Sequence, residues 1–272
     1  MKKRTKTIIQ NVILLLIVLL TIFPLFWTFL TSIKANVDAW SMPPKFVFSP
    51  TFKNYSIVLF DKGFFGYIRN SLITCVFATA FAMLLGIPLA YSLSRLKSRF
   101  KNVVFVGVFV SYILPPIVLS IPLYVIFAKW GILNKYSTII LTHTTFILAF
   151  TAWMMRGFFE EVPEEIEESA ILDGCSFMEC LLRIDIPMVK AGLVSTVIFS
   201  FILSWNDFMY ALVLTSQSTR LVSVAVAQFL TPHGMFWGQM CAAGIIAILP
   251  ILIFTLFARK SLVRGMSIGA IK

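Results

Sequence analysis

Long uncharged runs alternate with short basic connections along this chain. Residues 7–33, between Lys6 and Lys34, carry no charge, and comparable runs lie between Arg69 and Arg95, Lys101 and Lys129, and Lys135 and Arg156. Each reaches the roughly 20 residues that a helix needs to cross a hydrocarbon core. From Lys190 to Arg220 the only charge is Asp207, and residues 221–258 have none, although "TPHG" (Thr231 to Gly234) interrupts that stretch. One span falls on each side of the break. "LVSVAVAQFL", from Leu221 to Leu230, is too short to cross alone and reads as an interfacial or partly buried external segment. The pattern predicts one membrane domain, residues 1–272, with six spans at about 8–33, 68–94, 102–128, 136–157, 188–214 and 238–258. A polar loop at about 158–187 separates the fourth from the fifth.

Composition agrees. Of 272 residues, 59% are hydrophobic and 13% charged, and the mean hydropathy is +0.91, outside the range of an ordinary soluble domain. This is the signature of an all-α integral membrane protein. The first run follows "MKKRTK" but is longer than the roughly 7–15 residues of a signal-peptide core, and no small-residue cleavage site follows, so it reads as a retained first helix. Basic residues set orientation through the short loops. With a cytoplasmic amino terminus, that side holds Lys2, Lys3, Arg4, Lys6, Arg95, Lys97, Arg99, Lys101, Arg156, Arg183, Lys190, Arg259, Lys260, Arg264 and Lys272, which is 15 of 23. Six spans then place both termini in the cytoplasm. The net charge of +11 comes in small groups flanking spans, which anchoring beside anionic membrane lipid explains without any nucleic acid. Cys75, Cys175, Cys180 and Cys241 are scattered and imply no disulfide framework. His143 and His233 stand alone, with packing or loop roles and no metal-ligand pattern.

Prolines mark two irregular places. Pro43, Pro44 and Pro50 rule out a continuous helix in the external loop from Lys34 to Gly66, which is long enough to cover part of an outer opening. In the third span, "LPPIVLSIP" carries Pro115, Pro116 and Pro122, so that helix should be kinked or unwound, either as a packing feature or as a moving part. No internal repeat is visible, which argues against a carrier built from duplicated halves.

The polar loop carries nine of the 12 acidic residues, all between Glu160 and Asp185. Pro163 suits the first helical position, and the glutamates after it sit where the helix dipole favours anions. A helix from about Pro163 to Leu172 follows, then Gly174 at a left-handed stop, then Ser176 with Glu179 as a capping box opening a second helix. Ile166, Ala170 and Asp173 share a narrow face with a small residue at its centre, and Glu164, Glu167, Glu168 and Ile171 project around it. Such a helix can lie in a basic groove, and it can equally be a solvated acidic loop.

"EESAILDGCSFMECLLRIDIP" resembles the cytoplasmic loop of the membrane subunits of bacterial ABC importers, written EAA, three residues, G, nine residues, I-x-LP. Glu168, Ser169 and Ala170 match EAA, Gly174 the glycine, and Ile184, Ile186 and Pro187 the ending. Ser169 replaces an alanine, and Ala191 stands where sugar permeases often have a second proline, so the fifth span is expected to start straighter. "NYSIVLF", "YIRNSLI", "AYSLSRLK", "LPPIVLSIPLYVIF", "SWNDF" and the carboxyl-terminal "AILPILIFTLFARKSLVRGMSIGAIK" are similar to the carbohydrate-uptake branch, of the six-span maltose type. The resemblance implies the transmembrane domain of a type I ABC importer, not an enzyme. It also implies a second permease, two cytoplasmic ATPase subunits and an external solute-binding protein delivering a sugar or oligosaccharide. Glu164, Glu167, Glu168, Ser169, Ala170, Asp173, Gly174, Ile184 and Pro187 would then form the ATPase-coupling segment.

The chain has no G-x-x-x-x-G-K-[ST] loop, so ATP and Mg would be bound by the partner ATPases. Asp207, beside Asn206, lies about 25 Å above Lys190 at 1.5 Å per residue. An acid within a span marks a functional site by default. An interhelical polar clamp is favoured over a gate or a contact with the binding protein, and direct solute contact is a lesser option. The alternative function is a self-sufficient ion-coupled carrier using Asp207. No Ser/His, Cys/His or metal constellation in the sequence suggests a membrane enzyme.

Overall fold

The computed structural model describes residues 2–98, 100–231 and 234–268, with the side chains of 2–5, 231, 234 and 257–268 left aside. Expectations attached to Arg99, His233 and Lys272 lie outside the described residues. The main helices are α1 (Lys2–Ser32), α2 (Phe64–Arg95), α3 (Phe100–Ile113), α4 (Pro116–Lys129), α5 (Tyr136–Glu160), α6 (Glu164–Leu172), α7 (Lys190–Asn206), α8 (Met209–Leu214), α9 (Val222–Ala227) and α10 (Trp237–Ile268). Between α6 and α7 run Phe177–Cys180, a π-turn Leu181–Asp185 and Ile186–Met188. Among the described residues, four single helices are long and apolar enough to cross a membrane, and two sharply bent pairs raise the number to as many as six.

Residues 1–66 and 225–249 form one compact unit. The outward side chains of α1 are apolar all round, with Leu20 74% exposed, as expected of a helix in contact with lipid. The end of α1 is satisfied locally: the Asn54 amide donates to the Ser32 and Lys34 carbonyls at 2.8 and 2.7 Å. Lys34 is buried, donates to the Lys45 carbonyl at 2.7 Å, and lies over the Trp27 ring at 4.7 Å. Short helical turns at Asn36–Ala39 and Lys53–Ser56 interrupt the proline-containing loop. Leu230–Thr231 and Gly234–Met235 pair antiparallel, Leu230 opposite Met235, on either side of the break read from "TPHG".

The second unit is 67–224 with 250–272. At its heart is α5, whose span is 61% buried because small and hydroxylated side chains let its neighbours approach. Thr151 meets Ser200 of α7 at 3.3 Å. A Cβ on Gly192 would fall 2.4 Å from the Phe158 ring, so only glycine permits the α5–α7 approach there. On the opposite flank α3 contributes rings to α5, with Tyr112 against Phe150 at 6.1 Å. Phe127, Ile139, Tyr210, Ala211, Leu214, Leu221 and Val224 form a separate core under α4, α5, α8 and α9. The buried Val222, Val224 and Ala225 agree with the half-buried segment read from "LVSVAVAQFL".

One expectation takes a definite form and another changes. The third span, expected to be kinked or unwound, is two helices at 94°, broken at Leu114–Pro115, because neither Pro115 nor Pro116 can donate to the preceding turn. The fifth span does not start straighter: the chain turns by 85° between Phe177–Met188 and α7, at Val189, without a second proline. It is also interrupted at Asp207, whose backbone is extended (φ −61°, ψ 128°), so α7 stops at Asn206.

Candidate functional site

The polar loop has the predicted helix, glycine turn and second helix, with one shift at its start. Pro163 is the N-cap (ψ 130°), one residue before the first helical position. Glu164, Glu165 and Glu167 occupy the first turn, at the positive end of the dipole. The other end closes as a Schellman turn: Cys175 N–H donates to the Ala170 carbonyl and Gly174 N–H to the Ile171 carbonyl, both at 3.0 Å. Gly174 has φ +93°, which L side chains resist. Ser176 Oγ accepts from Glu179 N–H at 3.4 Å while the Glu179 carboxylate accepts from Ser176 N–H at 3.0 Å. Those bonds from Ser176, and then Arg183, hold the Glu179 carboxyl below its usual range.

Glu167 does not belong to the exposed acidic rim. It is buried and faces the chain's own interior. Its Oε2 accepts from Tyr91 Oη at 2.9 Å and its Oε1 from Arg95 Nε at 2.5 Å, with Arg95 Nη2 completing the ion pair. Arg95 Nη2 also donates to the Val162 carbonyl at 3.1 Å and lies 3.5 Å from Asp185 Oδ1. Burial pulls the Glu167 carboxyl upward, but its bonds to Arg95 and Tyr91 prevail and leave it below the ordinary value. Asp185 is wholly enclosed, and neither of its oxygens has a hydrogen-bond partner among the described residues. Burial first, then the neighbouring Glu167, push it up to about 7. The end of α2, the first turn of α6 and the π-turn are therefore joined by one guanidinium between two carboxyls. Tyr91 adds ring contacts to Phe177 at 4.5 Å and Phe159 at 5.5 Å.

The other predicted coupling residues lie outside this lock. Glu168, Ser169, Asp173, Gly174 and Pro187 are exposed, Ala170 and Ile184 are half-buried, and Glu164 meets Lys97 at 3.1 Å on the surface. Beside them Leu172 is 88% exposed, and Ile166, Ile171, Phe177, Met178 and Leu182 are also exposed. Helix α6 is thus pinned from behind and presents an apolar patch rimmed by acid.

The second predicted place, Asn206–Asp207, sits where α7 and α8 part. Asp207 accepts from Tyr210 N–H at 3.4 Å and Ala211 N–H at 3.0 Å, capping α8, and its Oδ2 lies 3.2 Å from His143 Nε2. His143 Nδ1 lies 2.7 Å from Ser204 Oγ. The fold therefore brings together a Ser–His–Asp contact between residues that no sequence motif links. Ser204 and His143 have no exposed surface, so no substrate reaches the hydroxyl and the contact works as a clamp between α5 and the α7–α8 break. Asn206 is exposed. It and Asp207 line a chamber of about 360 Å³ with Ser111, Tyr112, Leu114, Pro116, Phe146, Leu203 and Tyr210. Sequence reasoning missed Tyr91, Arg95 and Ser204. Tyr91 and Arg95 are spaced i, i+4 at the end of a span, but nothing local says that they point at residue 167.

Among the described residues, apolar helices and bent helix pairs long enough to cross a membrane define a multi-pass membrane protein. The sequence matches the model of the binding-protein-dependent transport system inner membrane component family over residues 82–268, and the chain belongs to that family. A probable ABC transporter permease of Sinorhizobium fredii is 32% identical over 251 residues, 92% of this chain and 90% of the relative. The trehalose/maltose transport system permease protein of Thermococcus litoralis is 30% identical over 262 residues, 95% and 94% of the two chains. The fold resembles a chain of the crystal structure of a bacterial ABC transporter involved in import of the acidic polysaccharide alginate, with TM-score 0.75 and 21% identity, covering 95% of this chain and 97% of that one. The chain is accordingly a permease subunit of an ATP-driven importer in the inner membrane, a transport component and not an enzyme. The ion-coupled carrier is set aside.

Proposed function

We propose that the chain translocates a sugar or oligosaccharide handed over by an external solute-binding protein, pairing with a second permease and coupled through residues 158–187 to two cytoplasmic ATPase subunits. ATP and Mg are held by those subunits. Both termini and the 95–101 loop face the cytoplasm, and the basic residues there anchor against anionic lipid. The observation that carries the coupling is the pinned α6 helix: a rigid back made by Glu167 and Arg95, and an exposed front made by Leu172 and Ile171. Movement of an ATPase groove holding that front reaches α2 through the buried ion pair, without a flexible loop between them. Asn206 and Asp207 belong to the translocation path or its gate.

The sugar class is supported by the substrates that relatives are named for, trehalose/maltose in one and diacetylchitobiose in a Streptomyces coelicolor permease 31% identical to this chain. The test is uptake of labelled trehalose, maltose and diacetylchitobiose by cells with and without the permease. Uptake of at least one should depend on the permease, stop with vanadate and survive an ionophore. Loss with the ionophore alone, or import of none of the three, contradicts the reading.

A further inference from the structure

The chamber at the two helix breaks has the chemistry of a site for one sugar ring. At the first break Pro115 and Pro116 have no N–H, so the carbonyls of Ser111 and Tyr112 lose the donors that a continuing helix would supply. Both residues line the chamber. Unpaired carbonyls at membrane depth persist where they line a cavity that can satisfy them. At the second break Asn206 adds an exposed amide, able to donate and accept, that lines the chamber. The lining also includes aromatic rings: Phe146 stacked on Tyr210 at 5.7 Å and 13°, and the exposed Tyr112. The volume, about 360 Å³, falls in the roughly 300–1,000 Å³ range of small-molecule sites.

These groups select a class of ligand. Carbonyls deprived of their helical donors can accept from hydroxyls, the amide suits a neighbouring pair of hydroxyls, and the ring walls suit the apolar C–H face of a pyranose. A bare cation would also meet the carbonyls, but the Asp207 carboxylate that would have to neutralise it is already engaged by Tyr210 N–H, Ala211 N–H and His143. We propose that this chamber is a subsite through which the transported sugar passes, with Asn206 and Tyr112 contacting it and Asp207 holding the break open from behind. The inference rests on the reading of the chain as a sugar permease.

The test uses the assembled importer in membranes carrying Asn206→Cys, with Cys75, Cys175, Cys180 and Cys241 replaced by Ala. Trehalose, maltose and diacetylchitobiose are each tried as protectants against a small maleimide. Whichever sugar the wild type imports should slow alkylation about tenfold, and sodium chloride at matched osmolality should not. In parallel, Asn206→Ala and Tyr112→Ala should raise the KM for uptake about tenfold, and Tyr112→Phe, which keeps the ring face, should restore it. Import by the wild type with no protection by that sugar and unchanged KM values overturns the subsite and leaves the sugar reading standing. Protection by sodium overturns it in favour of an ion site. Failure of Asn206→Cys to label in the assembled complex means that another subunit fills the chamber, and also overturns it. Import of none of the three sugars sinks the sugar reading and the subsite together.

Discussion

Replacing Arg95 by Met keeps an unbranched apolar stem and removes the charge that joins α6 and the π-turn to α2. The guanidinium is nearly enclosed, with 12% of its side chain exposed, between Glu167 at 8% and Asp185 at 0%. Without it Glu167 must either stay ionised in an enclosed site or take a proton. Stranding one member of a buried pair costs about 3–5 kcal/mol. Protonation sets a ceiling: bringing a carboxyl of ordinary value 4.5 to its neutral form at pH 7 costs about 2.5 × 1.36, or roughly 3.4 kcal/mol. The segment should therefore detach about 300 times more often at pH 7. At pH 5 the same ceiling is about 0.7 kcal/mol, so the increase shrinks to about threefold. Cys180, 1% exposed within this segment, reports the opening when Cys75, Cys175 and Cys241 are Ala. The ratio of alkylation rates, Arg95→Met over Arg95, is measured at each pH so that thiolate chemistry cancels. A ratio near one at pH 7, or one that does not fall toward pH 5, refutes the reasoning.

Other perturbations separate strain, clamp and topology. A Cβ at Gly174 meets nothing within 4 Å, so Gly174→Val acts only through the backbone, by about 1–2 kcal/mol at φ +93°. The permease should insert normally but retain about tenfold less ATPase on purification. Asp207→Asn keeps an acceptor for the α8 cap and should leave partial transport in an assembled complex, whereas complete loss would give Asp207 a role that needs its charge. Lys97→Cys should be shielded from an impermeant thiol reagent in intact cells and Lys53→Cys should react, and labelling at residue 97 reverses the orientation.

Long uncharged runs marked the four single helices that are long and apolar enough to cross a membrane among the described residues, because lipid imposes one rule along the whole length of a crossing helix. They did not reveal that the third span breaks by 94°. Prolines announce lost hydrogen bonds, but the angle is set by what α3 and α4 pack on. The Schellman turn and capping box were legible because both are made by residues within five positions of each other, as Ala170 with Cys175 and Ser176 with Glu179. Glu167 was misplaced for the opposite reason. Its partners Tyr91 and Arg95 lie 76 and 72 residues away, and a helical wheel cannot tell a glutamate turned to water from one turned to a buried arginine. His143 and Asp207, 64 residues apart, were equally out of reach, although the intramembrane acid alone marked the place.

The central claim is that the front of α6 lies against an ATPase, and Leu172, the most exposed apolar side chain on that helix at 88%, tests it most directly. A photo-crosslinking amino acid placed at residue 172 in the full-length permease should, on irradiation of intact membranes, form its principal adduct with a cytoplasmic ATP-binding subunit. The same group placed at Phe100, also exposed but outside the proposed docking patch, should not. Adducts from residue 172 with lipid only, or with no ATP-binding subunit among the products, contradict the account.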